Sequence, residues 1–478
     1  MKVRILLSSV IVAALTACGG GPAPTPPVVA TPAPTPPVVA TPAPTVSVLI
    51  SQPKVSVNTP VTVTWSSSNA TTCTGLDAMT AGAKPTAGSA TITPTAGGQY
   101  TYTISCDGAG GTAKQSVALV VPFPVKATSY ANAKEMGIQQ INLPTFGGEY
   151  SLAYAVADFF QSGNMDLLYV VNHVTAGSVT YAQMEADPAT YYADARFMRK
   201  QADGSWLQIG VTMKTCAVPR KAAVADLNHD GYPDVHFVCH GIEVVVPQFV
   251  GTNGSGFPGD IDKIFMSNGS GGFTSQDVGT RGYHHGGALG DVNGDGWADI
   301  LVSDNFDLKG TYFLLNNKNG TFTKDTLKFD AALNLVLPGH FTVELIDING
   351  DGKLDVFLGD DQEALHILSV ILYADANGRY TNKVDIPLDT ANPIIYDVTF
   401  VNNNLYVSRT NNNWNVQAIQ KVNVSTMSAS EIFQSSKVYF GAAWQWSWAG
   451  WWLPVTKNGV LGIAPYFDEM SDIFIPIN

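Results

Sequence analysis

Asp226-Leu227-Asn228-His229-Asp230-Gly231-Tyr232-Pro233-Asp234, Asp291-Val292-Asn293-Gly294-Asp295-Gly296-Trp297-Ala298-Asp299 and Asp347-Ile348-Asn349-Gly350-Asp351-Gly352-Lys353-Leu354-Asp355 are three copies of one nine-residue template. The spacing has a physical reason. In a tightly turned loop the side-chain oxygens at positions 1, 3 and 5 point inward, glycine at 6 permits the sharp turn, the carbonyl at 7 adds a ligand and the carboxylate at 9 closes the shell. The expected ligand sets are therefore Asp226, Asn228, Asp230, Tyr232 and Asp234; Asp291, Asn293, Asp295, Trp297 and Asp299; and Asp347, Asn349, Asp351, Lys353 and Asp355. Hard oxygens with no His or Cys among them select calcium over zinc or copper. The loops hold nine of the 39 acidic residues, so the formal charge of −13 is in good part metal-binding capacity. A balance that negative also argues against a nucleic-acid partner, whose phosphates would be repelled.

Each copy lies between short apolar runs, as Ala222–Ala225 and Val235–Val238 do around the first, so each loop joins two antiparallel strands. A second kind of turn, carrying glycine and an aromatic, recurs four times, once ahead of these loops and once after each: Asp203-Gly204-Ser205-Trp206, Gly271-Gly272-Phe273, Asn319-Gly320-Thr321-Phe322 and Asn377-Gly378-Arg379-Tyr380. A fourth loop, Asp158 to Asp166, keeps positions 1, 6 and 9 but has Phe160 where a ligand belongs, which keeps the turn and forfeits the metal. Loop starts at 158, 226, 291 and 347 repeat every 56 to 68 residues, and four strands per repeat of that size predict an all-β propeller.

These repeats resemble FG-GAP/VCBS repeats, the integrin-type propeller family, over roughly residues 125–478. The resemblance implies about six to eight blades, usually about seven, with calcium in the loop between a blade's first two strands. Beyond the four clear blades, Val398–Val407 opens a fifth without a ligand set and Trp444–Ile463 a sixth, while 127–150 is available to complete a ring. Cys216 and Cys239 flank the second blade's first hairpin and are expected to pair between neighbouring strands.

Upstream, Lys2 and Arg4 precede the apolar run Ile5–Leu15, too short to span a bilayer, and this reads as a signal peptide over 1–17. It ends in Leu15-Thr16-Ala17-Cys18, which resembles the bacterial lipobox and implies a lipidated Cys18 as the mature first residue. Gly19, where aspartate retains such lipoproteins on the inner membrane, points to the outer membrane. Residues 18–45 repeat Pro, Ala, Thr and Val and form an extended spacer of about 3.1 Å per residue. Residues 46–122 alternate as strands, with Val61, Val63 and Trp65 on one face. The stretch Thr64 to Cys73 resembles bacterial immunoglobulin-like domains, and Cys73 and Cys106 are expected to pair across the two sheets of a sandwich.

A first strand running towards the calcium loop and a second running away place strand starts and strand ends together on the opposite rim. That rim collects Arg220, Lys221, Tyr283, His284, His285 and His340 with His173, His240, Asp304, Asn305, Asp360 and Asp361. His173, His240, His284, His285 and His340 make it a candidate ligand rim, suited to sugar binding or proton transfer. A second candidate is the row Trp444, Trp446, Trp448, Trp451 and Trp452, which could stack on sugars or fill the space between blades. The sequence therefore predicts a membrane-anchored, calcium-stabilised binding or adhesion module for carbohydrate or protein ligands, with no nucleophile motif or acid pair. The alternative is a polysaccharide lyase-like enzyme using Tyr283, His284 and His285 with Arg281 neutralising a carboxylate.

Overall fold

A computed structural model describes residues 41–125, 127, 153–173, 181–241, 259–304, 310–326, 328–333, 340–360, 369–413, 415–436, 452–465 and 474–477. Cys18, Asn305, Asp361, Trp444, Trp446, Trp448 and Trp451 lie outside the described residues, as do the signal segment and most of 127–150.

The chain is all-β, and its main body is a β-propeller of antiparallel sheets built in sequence order. The first blade comprises Tyr154–Ala157, Asp166–Val171, Asp194–Lys200 and Trp206–Lys214; the second Pro219–Ala225, Asp234–Cys239, Asp260–Ser267 and Phe273–Gly282. The third comprises His284–Gly290, Asp299–Asp304, Gly310–Asn316 and Phe322–Asp325; the fourth Thr342–Ile346, Asp355–Gly359, Val370–Ala374 and Tyr380–Asp385. The fifth is complete as well: Ile394–Val401, Asn404–Thr410, Gln417–Asn423 and Ser428–Ser435. Its first turn, at Asn402 and Asn403, is a tight hairpin with both residues left-handed, in place of the nine-residue loop. Trp452–Lys457, Val460–Pro465 and Ile475–Pro476 form a further sheet.

The sequence makes this architecture by burying both faces of each inner strand. In the second blade Ala222 and Val224 pack with Phe159, Phe197 and Phe237 towards the first blade. Their neighbours Ala223 and Ala225 pack with Ile264, Leu289 and Ile300 towards the third. The period of two thus distributes one strand between two inter-blade cores. The pattern continues with Ala288, Phe313, Val343 and Leu358 between the third and fourth blades. Ile346, Phe357, Val398 and Val407 do the same between the fourth and fifth, and Tyr406, Ile419 and Ile463 between the fifth and the last sheet. Inner strands can therefore be continuously apolar, while outer strands such as Ser428–Ser435 are largely exposed.

Ahead of the propeller, two sheets face one core of Val48, Val61, Val63, Trp65, Tyr102, Ile104 and Leu119. Both disulfides form, with placements that differ from expectation. Cys73 and Cys106 stand directly opposite each other on adjacent strands of one sheet, Cα atoms 4.0 Å apart, rather than bridging two sheets. Side chains at a directly opposed pair leave the sheet on the same face, which brings the sulfurs together. Cys216 lies before the second blade's first strand, where its carbonyl accepts from Ala193 N at the edge of the first blade. The Cys216–Cys239 bridge therefore ties two blades together instead of two neighbouring strands.

Candidate functional site

The three acidic loops sit on one rim and share one hydrogen-bond pattern. Position 1 caps the turn: Asp226 Oδ2 accepts from Gly231 N at 2.9 Å, Asp291 Oδ2 from Gly296 N at 2.7 Å and Asp347 Oδ2 from Gly352 N at 2.9 Å. Glycine is required at position 6 because φ there is 82°, 86° and 86°. The position 3 amide and the position 5 carboxylate each accept from the amide two residues on, as in Asn293 Oδ1 from Asp295 N and Asp295 Oδ1 from Trp297 N, both 2.9 Å. The position 9 carboxylate turns to the sheet, Asp234 accepting from Leu227 N and Ser267 N, both at 2.6 Å.

Among the described residues no three His, Cys, Asp or Glu side chains are drawn closely enough together to hold a metal ion. The carboxylates are turned to backbone amides. They nonetheless feel one another. Burial, with Asp230 and Asp226 adding their charge, pushes Asp234 up to about 7, and burial with Asp295 and Asp291 pushes Asp299 up to about 6. Oxygen-only donors and a left-handed sixth residue fit a hard cation, which the oxygens of positions 1, 3 and 5 would hold.

The first blade's loop keeps the turn by other means. Arg199, from the third strand, places Nε 2.7 Å from Asp166 Oδ1 and Nη2 2.6 Å from Asp166 Oδ2, and Nη2 also donates to Ser162 Oγ at 2.8 Å. A guanidinium thus bridges positions 5 and 9, which is the place of a cation. Asp158 accepts from Gly163 N at 2.8 Å and from Phe123 N at 3.1 Å, and Gln99 donates to Ser162 O at 3.0 Å.

On the opposite rim the structure sorts the candidates into groups. Arg220, His240, Tyr283 and His285 converge, joined by Phe341 and Tyr396. His240 lies 3.9 Å from Tyr283 and 4.5 Å from His285 between ring centroids, and His285 meets Phe341 edge-on at 4.4 Å. Arg220 lies over Phe341 at 4.6 Å and donates Nη2 to Tyr396 Oη at 3.1 Å. Phe341 and Tyr396 pack at 5.4 Å. The backbone explains the convergence: pairing slips between Pro219 and Lys221, between His284 and Gly286, and between Ile395 and Asp397. Arg220, His285 and Tyr396 are the bulged residues, and a bulge re-aims its side chain out of the ladder. Phe341 holds the equivalent place just before its strand, its N–H bonded to Gly359 O at 2.8 Å. The rings are buried, whereas Arg220 is half-buried. Burial and the nearby Arg220 cation hold His240 and His285 well below the usual histidine range, so both imidazoles are neutral at neutral pH. His240 Nδ1 donates to Gly241 O at 3.0 Å.

The other candidates leave this cluster. His284 points between blades, Nδ1 2.8 Å from Asp262 Oδ1, while His236 Nε2 is 2.9 Å from Asp262 Oδ2. Burial would raise Asp262, but the two histidines outweigh it and hold its carboxyl well below the usual carboxylate range. Arg281 pairs at 2.7 Å with Glu185 on a short surface helix. The expected catalytic set of Tyr283, His284, His285 and Arg281 therefore does not assemble: His284 and His285 leave the strand on opposite sides, and Arg281 lies on an outer strand. The arginine beside Tyr283 and His285 is Arg220. His173 is exposed and pairs with Asp194 at 2.9 Å. His340 is buried, Nδ1 3.2 Å from Thr311 Oγ1, and burial takes its pKa down to about 4. Lys221 is buried in an ion pair with Glu344, and Asp304 Oδ1 accepts from Tyr283 N at 3.2 Å. Asp360 is buried, its N–H donating to Ser369 Oγ at 2.9 Å.

Phe341 and Tyr396 escaped the sequence reading, although a signal existed. Arg220, His285 and Phe341 each stand six residues before position 1 of their loops, and Tyr396 stands six before Asn402.

A family model described as an FG-GAP-like repeat matches residues 291–358. No curated protein matches the chain. Among solved structures, a rhamnogalacturonan lyase of Bacillus licheniformis is similar at 12% identity and TM-score 0.35, over 82% of this chain and 68% of that one. The exotype rhamnogalacturonan lyase YesX is similar at 11% identity and TM-score 0.35, over 84% and 78%. Saccharomyces cerevisiae Sqt1 is similar at 9% identity and TM-score 0.35, over 89% and 96%.

Proposed function

We propose that this chain is a calcium-stabilised propeller that binds glycans at the rim opposite its acidic loops, as an adhesion module carried on a bacterial lipid anchor. The observation that carries the reading is the convergence of Arg220, His240, Tyr283, His285, Phe341 and Tyr396, with Arg220, His285 and Tyr396 re-aimed by bulges in the second, third and fifth blades. Such a set combines aromatic faces for sugar C–H surfaces with imidazole, phenol and guanidinium hydrogen-bonding groups. Binding is preferred to catalysis because two of the four residues expected of a lyase, His284 and Arg281, leave the rim for an inter-blade network and the outer surface.

The test is a glycan-array screen of the protein in calcium, beside His285→Ala and Tyr396→Phe. The expected result is binding to at least one glycan class, reduced about tenfold or more by His285→Ala. Binding that both variants retain in full would remove the rim from the reading, and no binding to any glycan would favour a protein ligand.

The anchor rests on the stretch Leu15 to Cys18 and on the spacer that follows. Two or three acyl chains at roughly 0.8 kcal/mol per buried methylene hold a protein on a membrane without a spanning helix. Cys18→Ala is expected to move the protein from the outer-membrane to the soluble fraction, and continued sedimentation with membranes would refute lipidation.

A further inference from the structure

We propose that Arg220 is an anion anchor and that the rim takes ligands bearing a carboxylate, of the uronate type; this rests on the glycan reading above and narrows it. Among the described residues Arg220 has no carboxylate partner, and its contacts are the Phe341 ring and the Tyr396 hydroxyl. Other arginines show what the chain does with this side chain elsewhere. Arg199 is bidentate on Asp166, and Arg281 pairs with Glu185. The fully buried Arg409 is shared among Gln420 Oε1 and the carbonyls of Asn392 and Pro387. A half-buried guanidinium stacked on a ring loses hydration, and a phenol oxygen returns only part of it.

The contacts also define a shape. Phe341 covers one face of the guanidinium and Tyr396 occupies Nη2, so the plane of the fork is set before any ligand arrives. A carboxylate meets such a fork with two parallel N–H···O bonds, which a neutral hydroxyl cannot do. The neighbouring imidazoles of His240 and His285 are neutral. Hydrogen-bonding groups thus surround one fixed cation, an arrangement that separates a charged sugar from its neutral counterpart. The net charge of −13 repels polyanions at long range, so recognition of this kind is local and lies in the fork itself.

The experiment is a ligand-observed NMR titration of the detergent-solubilised full chain in calcium with glucuronate, glucose and acetate, repeated with Arg220→Gln and Arg220→Lys. Glucuronate is expected to bind at least about tenfold more tightly than glucose. Arg220→Gln should abolish that preference, and Arg220→Lys, which keeps the charge and loses the fork, should keep only part of it. If Arg220→Gln does not fold, a full loss of preference in folded Arg220→Lys supports the fork, and an unchanged preference overturns it. Equal binding of glucuronate and glucose overturns the anion anchor and leaves the glycan reading standing. Arg220-dependent binding of acetate and glucuronate, with no glycan bound on the array, supports the anchor and overturns the glycan reading. No binding of any probe overturns both.

Discussion

Removing calcium with EDTA is expected to lower the melting temperature of the protein by about 10 °C or more, through three sites of equal design. A ligand bound only by the folded state stabilises by RT ln(1 + [L]/Kd), about 2.7 kcal/mol for each site at a hundred times its Kd. The folded chain gains by binding because each turned loop brings positions 1, 3, 5 and 9 within one nine-residue hairpin, its first carboxylate already fixed on the amide of the sixth residue. The unfolded chain has no such assembly and gains little. Asp291→Ala or Asp295→Ala should remove about a third of the shift, whereas the first blade, whose loop is held by Arg199, should contribute none of it. Differential scanning calorimetry with and without EDTA reads all of this, and a melt that ignores EDTA refutes the metal assignment.

Glu344→Gln is expected to cost about 3–5 kcal/mol of folding stability. Lys221 and Glu344 form an ion pair with side chains 1% and 0% exposed, joining the second blade to the fourth past the first strand of the third. That strand offers glycine here: a Cβ on Gly286 would come within 2.8 Å of Val343 N, beside Glu344. The glutamine keeps the shape and removes the charge, so Lys221 loses the buried counter-charge of Glu344. Lys221→Met should cost a similar amount by removing the cation that faces Glu344. The double variant Lys221→Met/Glu344→Leu removes both charges and should recover most of the loss, since buried pairs are often replaceable by apolar residues of like volume. Urea denaturation of the three variants measures this, and a Glu344→Gln loss under about 1 kcal/mol would show that the pair is not isolated from water.

Much of this fold was legible because its signals are local. The turn chemistry of Asp226–Asp234 and its repeats marks the hairpin between first and second strands, and Gly320 or Gly378 marks the one between third and fourth. The fifth blade was harder to read because Asn402 and Asn403 replace the nine-residue loop, leaving only a two-residue turn. The rim was half legible. Strand direction alone placed Arg220, His240, Tyr283 and His285 on one side of the disc, yet it could not separate His284 from His285. That separation depends on which residue of the pair is bulged, a backbone irregularity that leaves no trace in side-chain periodicity. Arg199 was missed for a similar reason: its partnership with Asp166 joins residues 33 apart through strand register, and an arginine on a third strand is ordinary in sequence. The disulfides show the limit from the other side, since cysteine number predicted pairing but only register located Cys73 opposite Cys106.

The central claim is a division of labour between two rims, one binding calcium to hold the blades and the other binding the ligand. Its most direct test measures calcium-dependent melting and glycan binding on the same two variants, Asp291→Ala and His285→Ala. The prediction is a crossed result: Asp291→Ala loses part of the calcium response and, in calcium well below its melting point, keeps its glycan, while His285→Ala loses its glycan and keeps the calcium response. Two variants that each lose both properties, or each keep both, would contradict it.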